Sequence, residues 1–383
     1  MTAPARHAVS ADHVFDGATL RKHAALVIEG DRIARLVGRG ETEGLQVRAL
    51  PDGAWLAPGF IDVQVNGGGD ALFNDAPTSK TISAIAAAHR KFGTTGFLVT
   101  LITDAPEKTP LAIDAVREAM RSEPSVLGLH LEGPFISPDK AGVHKRSFIR
   151  PPTDADLETL AAWREGVLLV TLAPERVRAG FIAQLVARGI RVSLGHSMAT
   201  YDEARAAVAE GATGFTHLFN AMRGLESREP GPIAAALESA DCSYGLIVDG
   251  FHVAAAMLRL ALRGLGNPML VTDAMPPVGG GCSSFRLYDE DTRVTDGRCV
   301  RSDGALAGAF LDMASAVRNC VHLLGLPLEK ALQLATVNPA RFLGVQAGQL
   351  KPGHRADLVA LDPRTVGVID TWVAGQSFHA GRR

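Results

Sequence analysis

Residues 190–219 read IRVSLGHSMATYDEARAAVAEGATGFTHLF, and this stretch decides the fold. A short β-branched and apolar run (190–196) gives way to an Ala-rich segment (201–211) with apolar residues at helical spacing. A second short run (214–219) follows. Strands alternating with helices point to a parallel sheet, because parallel neighbours need a crossover that a tight hairpin cannot supply. Working outward, the same alternation recurs in GFIDVQVN (59–66), TGFLVTLI (95–102), VLGLHLE (126–132), VLLVTLA (167–173), YGLIVDG (244–250) and MLVTD (269–273). Helical candidates such as SKTISAIAAAHRKF (79–92) and AAAMLRLALRGLG (254–266) lie between them. Eight such runs are the number that closes a TIM-like (β/α)8 barrel. A doubly wound open sheet would want G-x-G-x-x-G after its first strand, and Asn66-Gly67-Gly68-Gly69-Asp70 does not match.

Both ends of the chain read differently. AALVIEGDRIARLVG is a hairpin signature, with Leu26–Glu29, a Gly30-Asp31 turn and Ile33–Val37. ADLVALDP (356–363) and GVIDTWVAGQSF resemble it near the other end. The expected organisation is a small β-sandwich domain built from residues 1–56 and 347–383, flanking a catalytic barrel over 57–346. A chain of 383 residues has room for both.

Composition narrows the function. Hydrophobic residues make up 46% and charged residues 21%, ordinary for a globular protein, and the formal charge of −2 gives no general attraction to nucleic acid or an anionic membrane. Four cysteines without a C-x-x-C, no apolar leader and no long apolar span point to a cytoplasmic protein with reduced thiols.

Barrel chemistry sits at the C-terminal ends of the strands. Those ends carry Gln64 and Asn66, Thr100, His130 and Glu132, Ala173, His196, His217, Asp249 with His252, and Asp273. Buried ionisable groups are costly unless paired or metal-bound. Glu132, His196 and His217, from three strands, can supply three ligands to one divalent ion and leave a position open for water. His130, two residues before Glu132, faces the same way and reads as a partner of the site rather than a ligand. Asp273 is placed to take a proton from activated water and return it to a leaving group. The Pro276–Gly281 stretch after it reads either as a mobile flap or as a long surface connection. Strand four ends without a lysine that could be carbamylated, and strand one carries Gln64-Val65-Asn66 where a second metal would want H-x-H. Both absences favour one metal over two. Zinc suits the donor set, as could iron, cobalt or manganese. A further group suits an anion: His144 and Lys145, Asn220 and Ala221, Arg228, and Asp249 with His252.

The motifs PGFIDVQVNGGG, GLHLEGPFI, SLGHS, THLFNAM, REPG, VDGFHV, VTDAM and LAGAFLDM together resemble those of the N-acetylglucosamine-6-phosphate deacetylases of the amidohydrolase superfamily. The resemblance implies metal ligands at Glu132, His196 and His217 and a catalytic acid/base at Asp273. It implies substrate contacts at Val143, His144, Asn220, Ala221, Arg228, Asp249, His252, Leu306, Ala307 and Gly308, with Gln64 and Asn66 as vestigial second-metal positions. It also implies a phosphorylated amino sugar as substrate and a homodimer in which the arginine crosses the interface. Ala309 stands where the family more often has Ser. The rival readings are another amide hydrolase of the same superfamily and a non-catalytic sugar-phosphate-binding relative.

Overall fold

The computed structural model describes residues 6–378, so the outermost residues of both expected small-domain segments lie outside the described residues. Eight parallel strands pair in sequence order: β1 (Phe60–Val65), β2 (Thr94–Ile102), β3 (Val126–Glu132), β4 (Val167–Leu172), β5 (Arg191–Leu194), β6 (Gly214–Phe215), β7 (Ser243–Leu246) and β8 (Asn267–Leu270). All nine residues of β2 are buried, which explains its unbroken apolar reading: a parallel strand is covered on both faces. The ring closes beyond the last strand. Asn66 N donates to Ala274 O (3.0 Å), Asp273 N donates to Gln64 O (3.1 Å), and a parallel bridge joins Val65 to Ala274.

The connecting helices start where their sequences say they should. The helix Tyr201–Ala209, just after β5, opens with a capping box in which Thr200 accepts from Glu203 N and Glu203 accepts from Thr200 N. The register between β1 and β2 slips between Asp62 and Val65, where β1 carries one residue more than its neighbour. Such a bulge re-aims side chains, and this one lies beside the site.

The terminal strands form one continuous hydrogen-bonded sheet instead of two separately bonded layers. Leu358–Asp362 pairs antiparallel with Trp55–Pro58, which continues parallel to Arg6–Phe15 and on to the hairpin of Leu20–Glu29 with Arg32–Gly38. Its faces alternate strictly. Leu56, Leu358 and Ala360 point into the sheet's own core with Leu26, Ile28 and Trp372, whereas Ala57, Val359 and Leu361 join the barrel core.

A third element was not expected. Ser284–Leu287, Glu290–Thr295 and Arg298–Arg301 form a three-stranded antiparallel sheet between Asp273 and the Leu306–Gly308 loop. Its second turn is an Asp296-Gly297 pair, both at positive φ, the chemistry of a two-residue hairpin. The Pro276–Gly281 loop that leads into it is held at several points. Gly69 N donates to Val278 O, Asp70 accepts from Gly281 N and Cys282 N, and Lys91 Nζ donates to Gly279 O. These bonds tie the loop to the barrel, and Pro276, Pro277 and Val278 are buried, which a surface connection would not be.

Candidate active site

Glu132 ends β3 within regular strand geometry. His196, His217 and Asp273 each lie two or three residues past their strands, in left-handed backbone at φ 48°, 31° and 52°. Non-glycine residues rarely adopt that conformation, and it gathers at functional sites. The turns carry these three side chains into one mouth. His217 Nε2 lies 2.8 Å and His196 Nε2 3.1 Å from the same oxygen, Glu132 Oε1, and the two Nε2 atoms are 3.1 Å apart. Among the described residues, these three form the one group of His, Cys, Asp or Glu whose ligand atoms all lie within 4.8 Å of one another.

The chemistry of this trio asks for a cation. His196 Nδ1 donates to Lys140 O at 2.7 Å, so a neutral ring turns its Nε2 lone pair toward the Glu132 carboxylate. Two acceptors at 3.1 Å repel unless positive charge sits between them. Electrostatics makes the same demand. Burial works against the charged form of both Glu132 and His217, yet the two imidazoles, His196 and His217, hold the Glu132 pKa well below the usual carboxylate range, and Glu132 in turn raises that of His217. A divalent ion bound by one carboxylate oxygen and two imidazoles meets that demand, with a position to spare.

Asp273 adjoins the trio. Burial and the Glu132 charge push its pKa up to about 6. Its Oδ1 accepts from Asn66 Nδ2 (2.6 Å) and from Gln64 Nε2 (3.2 Å), while Oδ2 has no hydrogen-bond partner among the described residues. Gln64 Nε2 also lies 3.2 Å from both oxygens of Glu132. The amides at the second-metal positions are therefore wired as donors to the two carboxylates. The sequence reading treated them only as missing ligands; the bulge in β1 beside Gln64, which gives this strand end its own geometry, shows only in the strand register.

These groups open into a cavity of about 300 Å3. Asn66, Glu132, Val143, His144, His196, His217, Asn220, Ala221, His252, Asp273, Leu306 and Gly308 all line it, together with Ile102, Gly142 and Met275. Four expected residues do not line it. Gln64 lies beneath, bonded to the carboxylates. Ala307 is fully buried behind its neighbours. Asp249 holds His252 by accepting from its Nδ1 (2.6 Å) and backbone N (2.9 Å). Arg228 is exposed in the segment after β6, away from the cavity. Lys145 points elsewhere too, onto Asp289 at 2.7 Å. His130 lies one layer down, its ring nitrogens on Thr100 Oγ1 (3.1 Å) and Thr171 Oγ1 (2.8 Å), and burial lowers its pKa to about 4.

A profile of the amidohydrolase family matches residues 55–378. The chain belongs to the amidohydrolase family. This amidohydrolase is 44% identical to an N-acetylgalactosamine-6-phosphate deacetylase of Shewanella sp. over 329 residues, 85% of this chain and 83% of that one. It is 40% identical to the N-acetylglucosamine-6-phosphate deacetylase of Homo sapiens over 343 residues, with the same coverages. Among solved structures, the N-acetylglucosamine-6-phosphate deacetylase of Pasteurella multocida superposes with a TM-score of 0.94 at 35% identity, covering 98% of this chain and all of the other. No helix among the described residues of this amidohydrolase is long and apolar enough to cross a membrane.

Proposed function

We propose that this chain hydrolyses the acetamide of N-acetylglucosamine 6-phosphate, giving glucosamine 6-phosphate and acetate, with one zinc ion on Glu132, His196 and His217. The observation that carries this reading is the convergence of that trio with Asp273 in one cavity. A non-catalytic sugar-phosphate binder has no use for an aspartate held on one oxygen by two amides with its other oxygen free. When bound, a divalent ion polarises an amide carbonyl and makes water more acidic. The chain does the rest. Asp273 Oδ2 takes the proton of the attacking water and then delivers it to the departing amine. His144 donates to the carbonyl oxygen as negative charge develops there. Gln64 and Asn66 hold Asp273 in place for both transfers.

The other end of the cavity suits the phosphate and sugar hydroxyls. Asn220, Ala221 and His252 line it, and Asp249 orients the His252 ring so that its Nε2 is left for a ligand. Val143, Leu306 and Gly308 line it as well, with Ala307 buried behind them. Arg228, exposed on its own subunit, reads as the contribution of one copy to the other's phosphate site in a homodimer. The four cysteines are free, in keeping with a reducing cytoplasm. A second reading, the galactosamine epimer as preferred substrate, is favoured by the 44% identity to a deacetylase of that specificity. Acetate release by the zinc-loaded protein, measured in parallel on both phosphorylated sugars and on free N-acetylglucosamine, separates these readings. A preference for the free sugar, or no acetate from any of them, overturns the proposal.

A further inference from the structure

Thr103 follows β2 directly and was not singled out among the strand ends. Its side chain is almost wholly enclosed, at 2% exposure. The hydroxyl lies 2.8 Å from His144 Nδ1 and 3.2 Å from the backbone carbonyl of Glu132. Two unrelated features keep it there. Gly133 sits at φ 86°, and a Cβ on it would fall 2.1 Å from Thr103 Oγ1, so the residue after the metal-ligating glutamate leaves room for this hydroxyl. Tyr288, at the first turn of the three-stranded sheet, donates its hydroxyl proton to the Thr103 carbonyl. The inserted sheet thus pins the same residue from above.

A threonine hydroxyl has one proton to give, and a neutral imidazole has one donor and one acceptor nitrogen. Glu132 O, which can only accept, competes for that proton, but at 3.2 Å it is a long O–H···O partner, whereas Nδ1 at 2.8 Å is the nearer acceptor. We infer that Thr103 is a positioning residue: its hydroxyl donates to His144 Nδ1 and thereby fixes the proton of the ring on Nε2. His144 lines the cavity, and Nε2 has no hydrogen-bond partner among the described residues. In this tautomer Nε2–H is a donor for a carbonyl oxygen. In the other tautomer a lone pair would face that oxygen and repel it as charge grows. Thr103 makes and breaks no covalent bond; it decides whether the nitrogen that meets the substrate carries a proton.

This inference rests on the deacetylase reading for its kinetic arm only. With the zinc-loaded full chain and N-acetylglucosamine 6-phosphate, Thr103→Val lowers kcat about 10–100-fold, the cost of losing an aligned donor, and leaves KM nearly where it was. Thr103→Ser restores most of that turnover. In a His144→Asn background, Thr103→Val adds less than about twofold, since its effect passes through the ring. A second readout needs no turnover. In 15N-histidine-labelled, zinc-loaded protein, the signals lost in His144→Asn show a protonated Nε2 and a bare Nδ1, and Thr103→Val mixes the two tautomers. A bare Nε2 in the wild type overturns the inference. So does a Thr103→Val loss that is as large without His144, or one that comes with loss of bound zinc, which would place the effect on Glu132. A wild-type chain that releases no acetate sinks the deacetylase reading instead, and the labelled spectra still decide Thr103.

Discussion

Inside the barrel, two layers of buried polar side chains lie one above the other. In the mouth, His196 Nε2 and Glu132 Oε1 face each other as acceptors, and one oxygen of Asp273 has no partner among the described residues. One layer below, Thr100, His130, Thr171, Thr216 and Ser193 form an unbroken hydrogen-bonded chain with links of 2.6–3.1 Å, in which His130 uses both nitrogens. Glu132, His196 and His217 are buried as the lower layer is, and Asp273 is half-buried. What separates them is saturation: a polar group buried for structure is satisfied by its neighbours, and one buried for chemistry keeps a valence open toward something absent from the chain. Thr103 belongs to neither set. It satisfies one nitrogen of His144 so that the other can stay open.

Substitutions sharpen this contrast, and the mouth comes first. Asp273→Asn keeps the shape and the bond from Gln64 or Asn66 but loses the base, so kcat falls by about 10^3-fold. Bound metal, measured by mass spectrometry, stays the same; a variant with near-normal turnover would put the proton transfer elsewhere. Next in size is metal removal. Chelation lowers the wild-type melting temperature, because at about 1,000 times the dissociation constant a bound ion contributes about 4 kcal/mol. In Glu132→Gln that shift vanishes, because the ion has lost its carboxylate ligand; a chelation shift as large as that of the wild type would place the metal elsewhere.

The lower layer responds in the opposite sense. His130→Leu removes one of the two partners of Thr100 and of Thr171, which keep Val65 N and Thr216 Oγ1, and costs about 1–3 kcal/mol in a urea titration, with metal content unchanged. The smallest effect depends on pH. Asp62 accepts from Thr272 and from Gln64 N at the barrel seam, but burial, with some help from the Asp273 charge, raises its pKa from 3.8 to about 7. The folded state therefore holds this proton more tightly than the unfolded chain. The stability it contributes is fully present below pH 3.8 and is lost as pH rises through about 7. Asp62→Asn should melt a few degrees above wild type at pH 8, and the difference should close toward pH 4. A constant difference across that range would show that Asp62 does not titrate.

The barrel was legible because each of its strands is buried on both faces and so announces itself as an apolar run, as 95–102 does. The trio and Asp273 were legible because ionisable residues at the ends of such runs have no cheap structural explanation. Other features were hidden for physical reasons. Spacing assigns a residue to a strand but does not say which neighbour's side chain it meets. Gln64 was legible as a non-ligand and not as a donor to two carboxylates. Thr103 is a small hydroxyl one step beyond the run as read, and hydroxyls at strand ends are common. The sheet of 284–301 is polar on its exposed side, so its Asp296-Gly297 turn was the main local sign of it. Arg228 illustrates the last limit: a residue in an exposed loop is not placed by the spacing of the strand before it.

The pairing of Trp55–Pro58 with Leu358–Asp362 has a consequence for biosynthesis. The first of these strands leaves the ribosome long before the second exists, so throughout most of translation it is an open edge with free amides and carbonyls. The whole barrel must be made, and can begin to fold, while that edge waits. Shortening the polypeptide so that Leu358–Val373 is lost would make the wait permanent. The stranded edge would then seek partners on other molecules, so nascent fragments of this enzyme should aggregate through their N-terminal strands even when the barrel is intact.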